Sequence, residues 1–222
     1  AFVNRSTSNG LGSNDVLGVF ASGGTVYAAT TGGLSISTDG GSTFVNRSTS
    51  NGLGSNVVYG VFATGSTVYA ATFDGLSIST DGGSTFVNRT SSNGLGCNDV
   101  RGVFASGSRV YAATQCGLSI SADGGSTFVN RTSSNGLGSN VLLGVFASGS
   151  TVYAATFAGG LSISTDGGST FVNRTSSNGL GSNTVRGVFA SGSTVYAATD
   201  NGFRISTDGG GTFESRTSNN GL

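Results

Sequence analysis

The sequence predicts an all-β fold, a five-bladed β-propeller of 42-residue, four-stranded blades with a surplus outer strand at one terminus. Three observations lead there. First, the 222-residue chain repeats itself: the phenylalanine that follows the recurring segment "STDGGST" falls at 44, 86, 128, 171 and 213, and its counterpart near the start is Phe2. The spacing is 42 residues, broken once by an extra residue in "FAGG" at 157–160. Second, each unit holds four short runs of β-forming residues separated by glycine-rich turns, which is how a propeller blade reads in sequence. Third, 40 of the 222 residues are glycine, which would be ruinous inside helices. A β-solenoid is the competing repeat architecture, but its coils would be shorter than 42 residues.

In the first unit the runs fall at 16–21, 25–30, 34–37 and 44–47. The second alternates, with Val26, Ala28 and Thr30 on one side and Tyr27 and Ala29 on the other. Both faces of a blade are covered by its neighbours, so bulky residues of one blade can meet Ala, Ser and Gly of the next. That lets a chain with only 36% hydrophobic residues build a core. The units run at about 12–53, 54–95, 96–137, 138–180 and 181–222, forming a single domain over 1–222, and 1–11 is the extra outer-strand segment.

Between the third and fourth runs lies "STDGGSTF" at 37–44, repeated identically at 79–86 and 164–171 and closely at 121–128 and 206–213. A hairpin must reverse there. Its Asp can accept from backbone N–H groups one or two residues on, and its glycines supply positive φ. The segment resembles the Asp-box (BNR-repeat) family of β-propellers, whose motif is Ser/Thr-x-Asp-x-Gly-x-Thr-Trp/Phe, and the resemblance spans essentially the whole chain. It implies that the box is a folding element, found in enzymes and non-catalytic receptors alike. One carboxylate per turn is a poor Ca²⁺ site, so no metal or other cofactor is expected.

Charged residues make up 9% of the chain, ten basic against ten acidic, far below the roughly 25% of ordinary soluble domains. No basic patch offers a footprint for nucleic acid or an anionic membrane. No apolar run reaches the roughly 18 residues of a membrane span. Near-zero net charge favours self-association. A start at Ala1 fits removal of an initiator methionine or of a secretion signal.

An enzyme is not expected. The tyrosines a sialidase-like mechanism would use recur in every unit at 27, 69, 111, 153 and 196, which marks them as core residues. The only Glu is Glu214, so paired acids would have to come from Asp15, Asp74, Asp99 or Asp200. His and Lys are absent, which leaves little for general acid–base chemistry.

Differences among the units show what the fold leaves free. They gather at the residue before "GVF" (Leu17, Tyr59, Arg101, Leu143, Arg186) and in the loop after "AAT" (Phe73, Gln115, Phe157 and Asp200 in units two to five). In a propeller both places emerge on one face, opposite the Asp-box turns. The two sites change together: Tyr59 with Phe73 and Leu143 with Phe157 as apolar pairs, Arg101 with Gln115 and Arg186 with Asp200 as polar ones. An exposed apolar patch rimmed by polar groups suggests an interaction surface, and drift at tolerant loop positions is the plainer reading. Cys97 and Cys116 fall in the two variable loops of unit three, so a disulfide between them is expected, with an oxidising compartment. Five N-x-Ser/Thr sequons, at Asn4, Asn46, Asn88, Asn130 and Asn173, read more simply as a repeated structural asparagine.

The segment after the Asp box occurs six times for five units, so one outer strand is surplus. Either 213–216 closes the fifth blade as a local hairpin and Phe2, Val3, Asn4 and Arg5 are left over, or the reverse holds. An unpaired strand seeks an edge, and donation to a neighbour would satisfy it. These features together suggest a secreted, non-catalytic structural protein whose partner is itself, as filament or oligomer. A multivalent glycan-binding lectin is the alternative.

Overall fold

The structure, a computed structural model, describes residues 3–216. It contains five antiparallel four-stranded sheets, each in the simple meander order, arranged as the blades of a five-bladed β-propeller. In blade one the strands are Val16–Ser22, Thr25–Thr30, Gly33–Ser37 and Val45–Arg47. Blade five ends on Glu214–Arg216, paired with its own third strand. The C-terminal copy of the outer strand therefore closes its own blade. Val3, Asn4 and Arg5 form no strand, and Phe2 lies outside the described residues. Phe44, expected to begin the outer strand, stands just before it and donates its N–H to the Asn9 carbonyl at 2.8 Å.

The connectors "STSNG" or "TSSNG" contain a short 3-10 turn that the strand pattern did not announce. In the first, Ser6 caps Thr7–Asn9, the Asn9 amide oxygen accepts from the Ser6 N–H, and Gly10 ends the turn at φ 92°. A side chain on Gly10 would run into the Phe44 carbonyl. Each turn thus docks on the blade that follows, and 3–15 sit on blade one as 45–57 sit on blade two. Arg5 donates to the Gly41 carbonyl as Arg47 does to that of Gly83, both at 2.8 Å.

Four hydrophobic clusters hold the blades together, one for each successive pair. In the first, Tyr27, Ala29, Leu34 and Ile36 of blade one meet Leu53, Val58, Ala63, Val68, Ala70 and Phe86 in and ahead of blade two. The alternation read from "TVYAAT" accounts for this, since Tyr27 and Ala29 face forward while Val26 and Ala28, like Val68 and Ala70 of blade two, face back. No such cluster joins blade five to blade one among the described residues. The inner strands tell the same story. A Cβ on Gly18 would sit 3.0 Å from the Tyr59 carbonyl oxygen of the next blade, whereas one on Gly187 meets nothing within 4 Å. Among the described residues the ring is open between the fifth blade and the first.

The asparagines of the sequons are structural inside the array. Asn46 accepts from Ser35 at 3.0 Å and donates to the Gly32 carbonyl at 2.8 Å, locking outer to third strand. Asn88 and Asn130 do likewise.

Candidate functional site

Each "STDGGSTF"-type turn is a closed set of hydrogen bonds. Ser37 donates to Asp39 at 2.7 Å and accepts from the Gly41 N–H, while the N–H groups of Ser42 and Thr43 and the Thr43 hydroxyl donate to the same carboxylate. The Thr43 N–H first, then the Ser37 and Thr43 hydroxyls, hold the Asp39 carboxyl well below the usual carboxylate range. Asp81, Asp123, Asp166 and Asp208 repeat the arrangement and the shift. These acids are committed to the turn. A cavity of about 340 Å³ between blades three and four is lined by Asp123, Asp166, Arg109 and Arg131, but both carboxylates are already engaged and Arg109 donates to the Gly167 carbonyl. Among the described residues no three His, Cys, Asp or Glu gather as a metal site.

The opposite end differs. In every blade the register of the first two strands slips by one residue: Val16 pairs with Thr30 and Gly18 with Ala29, leaving Leu17 as the extra residue of a β-bulge. Tyr59, Arg101, Leu143 and Arg186 are the bulged residues of the other blades. A bulge re-aims a side chain and frees it from the ladder. The position is variable because nothing in the blade–blade core depends on it. The sequence marked these five positions by their variety, and the strand signal ran straight through the bulge.

The bulge meets the loop after the second strand, as the strand topology requires. Arg186 Nε donates to Asp200 Oδ1 at 2.6 Å and its Nη2 to Oδ2 at 3.2 Å, an exposed two-pronged pair that raises the Arg186 pKa. Arg101 pairs with Asp99 at 2.7 Å, and the Gln115 carboxamide, turned with its oxygen toward Arg101, accepts from Nε and Nη2 at 3.0 and 3.1 Å. Cys97 and Cys116 form a disulfide beside this cluster, their Cα atoms 5.6 Å apart.

The apolar pairing is only partly what the structure holds. The Arg101 guanidinium lies 4.2 Å over the Tyr59 ring, a cation–π contact between blades two and three. No ring contact between Tyr59 and Phe73 occurs among the described residues. An arginine on the neighbouring bulge reaches the tyrosine face, so the polar unit covers part of the apolar one. Phe73 and Phe157 are left 56% and 49% exposed, with Leu17 also exposed and Leu143 half-buried.

Arg204 stands out in the sequence as an arginine outside the repeated Asn-Arg position, but its role is not apparent there. Arg204 stands where blades one to four have serine, is nearly buried, and donates to the carbonyls of Leu180 and Asn201 at 3.1 and 2.8 Å. Its partner position changes with it, from asparagine to Ser215. That paired departure from the repeat was the available signal.

Neither a protein-family model nor a curated protein sequence matches the chain. Solved structures do. The extracellular domain of a hybrid two-component system from B. thetaiotaomicron superimposes with a TM-score of 0.78 at 20% identity, covering 95% of this chain and 31% of that one. A Niastella koreensis GH74 enzyme gives 0.63 at 19%, over 90% and 31% of the two chains. YCF48 bound to a D1 peptide gives 0.62 at 17%, over 90% and 66%. The chain thus spans about a third of the first of these. At such identities the likeness establishes the fold, and what these proteins share with the present chain is the β-propeller.

Proposed function

We propose that the chain is a non-catalytic, extracellular structural propeller that associates with itself through the face carrying the bulges. The carrying observation is that five equivalent bulges aim five side chains of differing chemistry at one end of an otherwise uniform molecule. Phe73, Phe157 and Leu17 add exposed apolar area there, and zero net charge lowers the repulsion between copies. The opposite end is occupied by self-satisfied Asp-box turns, which offer a partner little. The Cys97–Cys116 disulfide fits an oxidising compartment, and the extracellular domain among the structural neighbours fits the same placement.

Sedimentation velocity over a hundredfold concentration range tests this. Mass should rise with concentration for the native chain, and Phe73→Glu combined with Phe157→Glu should return it to monomer. A native chain that stays monomeric throughout rejects self-association. The alternative is a glycan-binding lectin, favoured by the exposed phenylalanines beside polar groups at Gln115, Arg186 and Asp200. Glycan-array binding by a monomer, lost in the same double variant, would decide for it.

A further inference from the structure

We propose that the opening between blades five and one is a docking site for one or two further blades of this same repeat, to whose third strand residues 3–5 supply the missing outer strand. The two rims of the opening are the two halves of the interface that the chain builds four times. On blade five, Phe189, Tyr196, Ala198 and Phe203 surround a shallow depression of about 220 Å³. They correspond to Phe20, Tyr27, Ala29 and Leu34, which pack into blade two. On blade one, Val16 and Val19 are uncovered, while Val58 and Val61, their counterparts, lie in or against the blade one–two cluster. Each rim therefore has a known complement.

The size of the opening follows from the aromatic ladder of the inner strands. Phe20, Phe62, Phe104, Phe146 and Phe189 follow one another at 4.9–5.0 Å, with tilts of 49°, 50°, 52° and 56°. Planes related by a rotation cannot be tilted by more than that rotation. Each step therefore turns by about 50° or more, so a full turn holds at most about seven blades, within the range propellers use. A turn of five would bring Phe189 against Phe20, and no such contact exists among the described residues. The opening takes one or two blades. A rigid second copy entering by the same interface would carry its later blades into blade one, so a whole copy does not fit.

Residues 3–5 say what kind of blade enters. Arg5 is already anchored on Gly41 as the arginines of paired outer strands are on theirs. Asn4 has no hydrogen-bond partner among the described residues, whereas Asn46, Asn88 and Asn130 each take a serine of the third strand. Blade five cannot be the recipient, because Arg204 stands in place of that serine and Glu214–Arg216 is already paired there. The segment 3–5 matches a third strand of the Leu-Ser-Ile-Ser type.

Two probes carry that chemistry: residues 54–85, one blade without its outer strand, and residues 12–85, one whole blade followed by such a blade. Native mass spectrometry of the full chain with each should show a one-to-one complex with whichever spans the opening. Asn4→Leu should weaken it about tenfold and Val16→Glu should abolish it. As a check independent of probe folding, residues 12–85 appended after Leu222, and residues 54–85 likewise, should give one monomeric protein that melts several degrees above the native chain. The proposal is overturned if neither appended chain melts higher, or if the probes bind the Val16→Glu chain equally well. A dimer of the native chain that Val16→Glu dissociates would assign the opening to a whole second copy and overturn it too. Association through the bulge face would instead respond to Phe73→Glu and Phe157→Glu, so the two readings fail separately.

Discussion

Val58 and Val16 are the same residue at the same place in successive blades, yet Val58 is fully buried and Val16 is 41% exposed. Val61 and Val19 differ in the same way, Val19 reaching 70% exposure while Val61 packs on the blade one–two cluster. Local sequence is nearly identical in the two regions, so the difference lies entirely in what stands next door. A repeat array stabilises each unit through its neighbours, and a unit without one leaves half an interface in water. Blades two to four are therefore a core, and the outer faces of blades one and five are uncovered halves of the interblade interface, made from the same residues.

The largest effect should come from placing one charge at each of the paired positions. Val58→Asp buries a carboxylate with no partner in the first interblade cluster, a change that should prevent folding or leave only aggregate. Val16→Asp meets water and should cost no more than about 1 kcal/mol. Solubility and a denaturant melt of the two variants read this directly. Equal damage at both positions would mean that blade one is covered in solution and that the comparison is wrong.

Next in size is the disulfide. Cys97 and Cys116 are 19 residues apart, and closing a loop of that size stabilises by about 3 kcal/mol through the unfolded state. Cys97→Ser should lower the denaturation free energy by that order, and Cys116→Ser by the same amount, with the double variant no worse than either single. The serine at position 97 would match the residue of the other four units, so blade three keeps its packing and the loss isolates the crosslink.

Much of this was legible in the sequence, for stated physical reasons. The 42-residue period and the "TVYAAT" alternation place the blades and their two faces because strand side chains must alternate. The Asp box could be read as a turn because its donors lie within four residues of its acceptor, as in Ser37, Asp39 and Thr43. The Cys97–Cys116 pair and the Arg186–Asp200 pair were legible because their loops meet across adjacent strands of one blade. Tyr59 under Arg101 was not, since that contact joins two blades and depends on how far one bulge reaches toward the next. Nor was the open ring. Five repeats can be counted in a sequence, but the rotation between them is set by side-chain packing that repetition alone does not specify.

Acid should act on a feature that is indifferent to position in the array. The five Asp-box carboxyls are held below their usual range by hydrogen bonds from within their own turns. A depressed folded pKa means that the stabilisation is present above the unfolded value of about 3.9 and is lost as pH falls through the folded one. The melting temperature should therefore hold steady down to about pH 5 and decline below about pH 4. Asp39 on the open edge and Asp81 inside the array accept from the same set of Ser and Thr donors. Asp39→Asn and Asp81→Asn should lower the midpoint at pH 7 by similar amounts, because the turn is local. A much larger effect at Asp81 would tie the box to the interblade core.

The smallest effect is expected at the exposed pair of blade five. Arg186 and Asp200 meet at 2.6 Å, but both side chains stand in solvent, 60% and 43% exposed. Water and salt screen such a pair, and holding two flexible side chains in one geometry costs entropy. Arg186→Leu should therefore leave the thermal midpoint within the error of the measurement. Arg101→Leu should cost more, because Arg101 is half-buried and joins Asp99, Gln115 and the Tyr59 ring of the preceding blade. Removing it uncovers the tyrosine face and leaves Asp99 without its cation. The two substitutions delete the same residue type at the same bulge, so the difference between them reports the contacts that each arginine makes. A midpoint that falls as far for Arg186→Leu as for Arg101→Leu would show that the Arg186–Asp200 pair is shielded from solvent by a partner in solution.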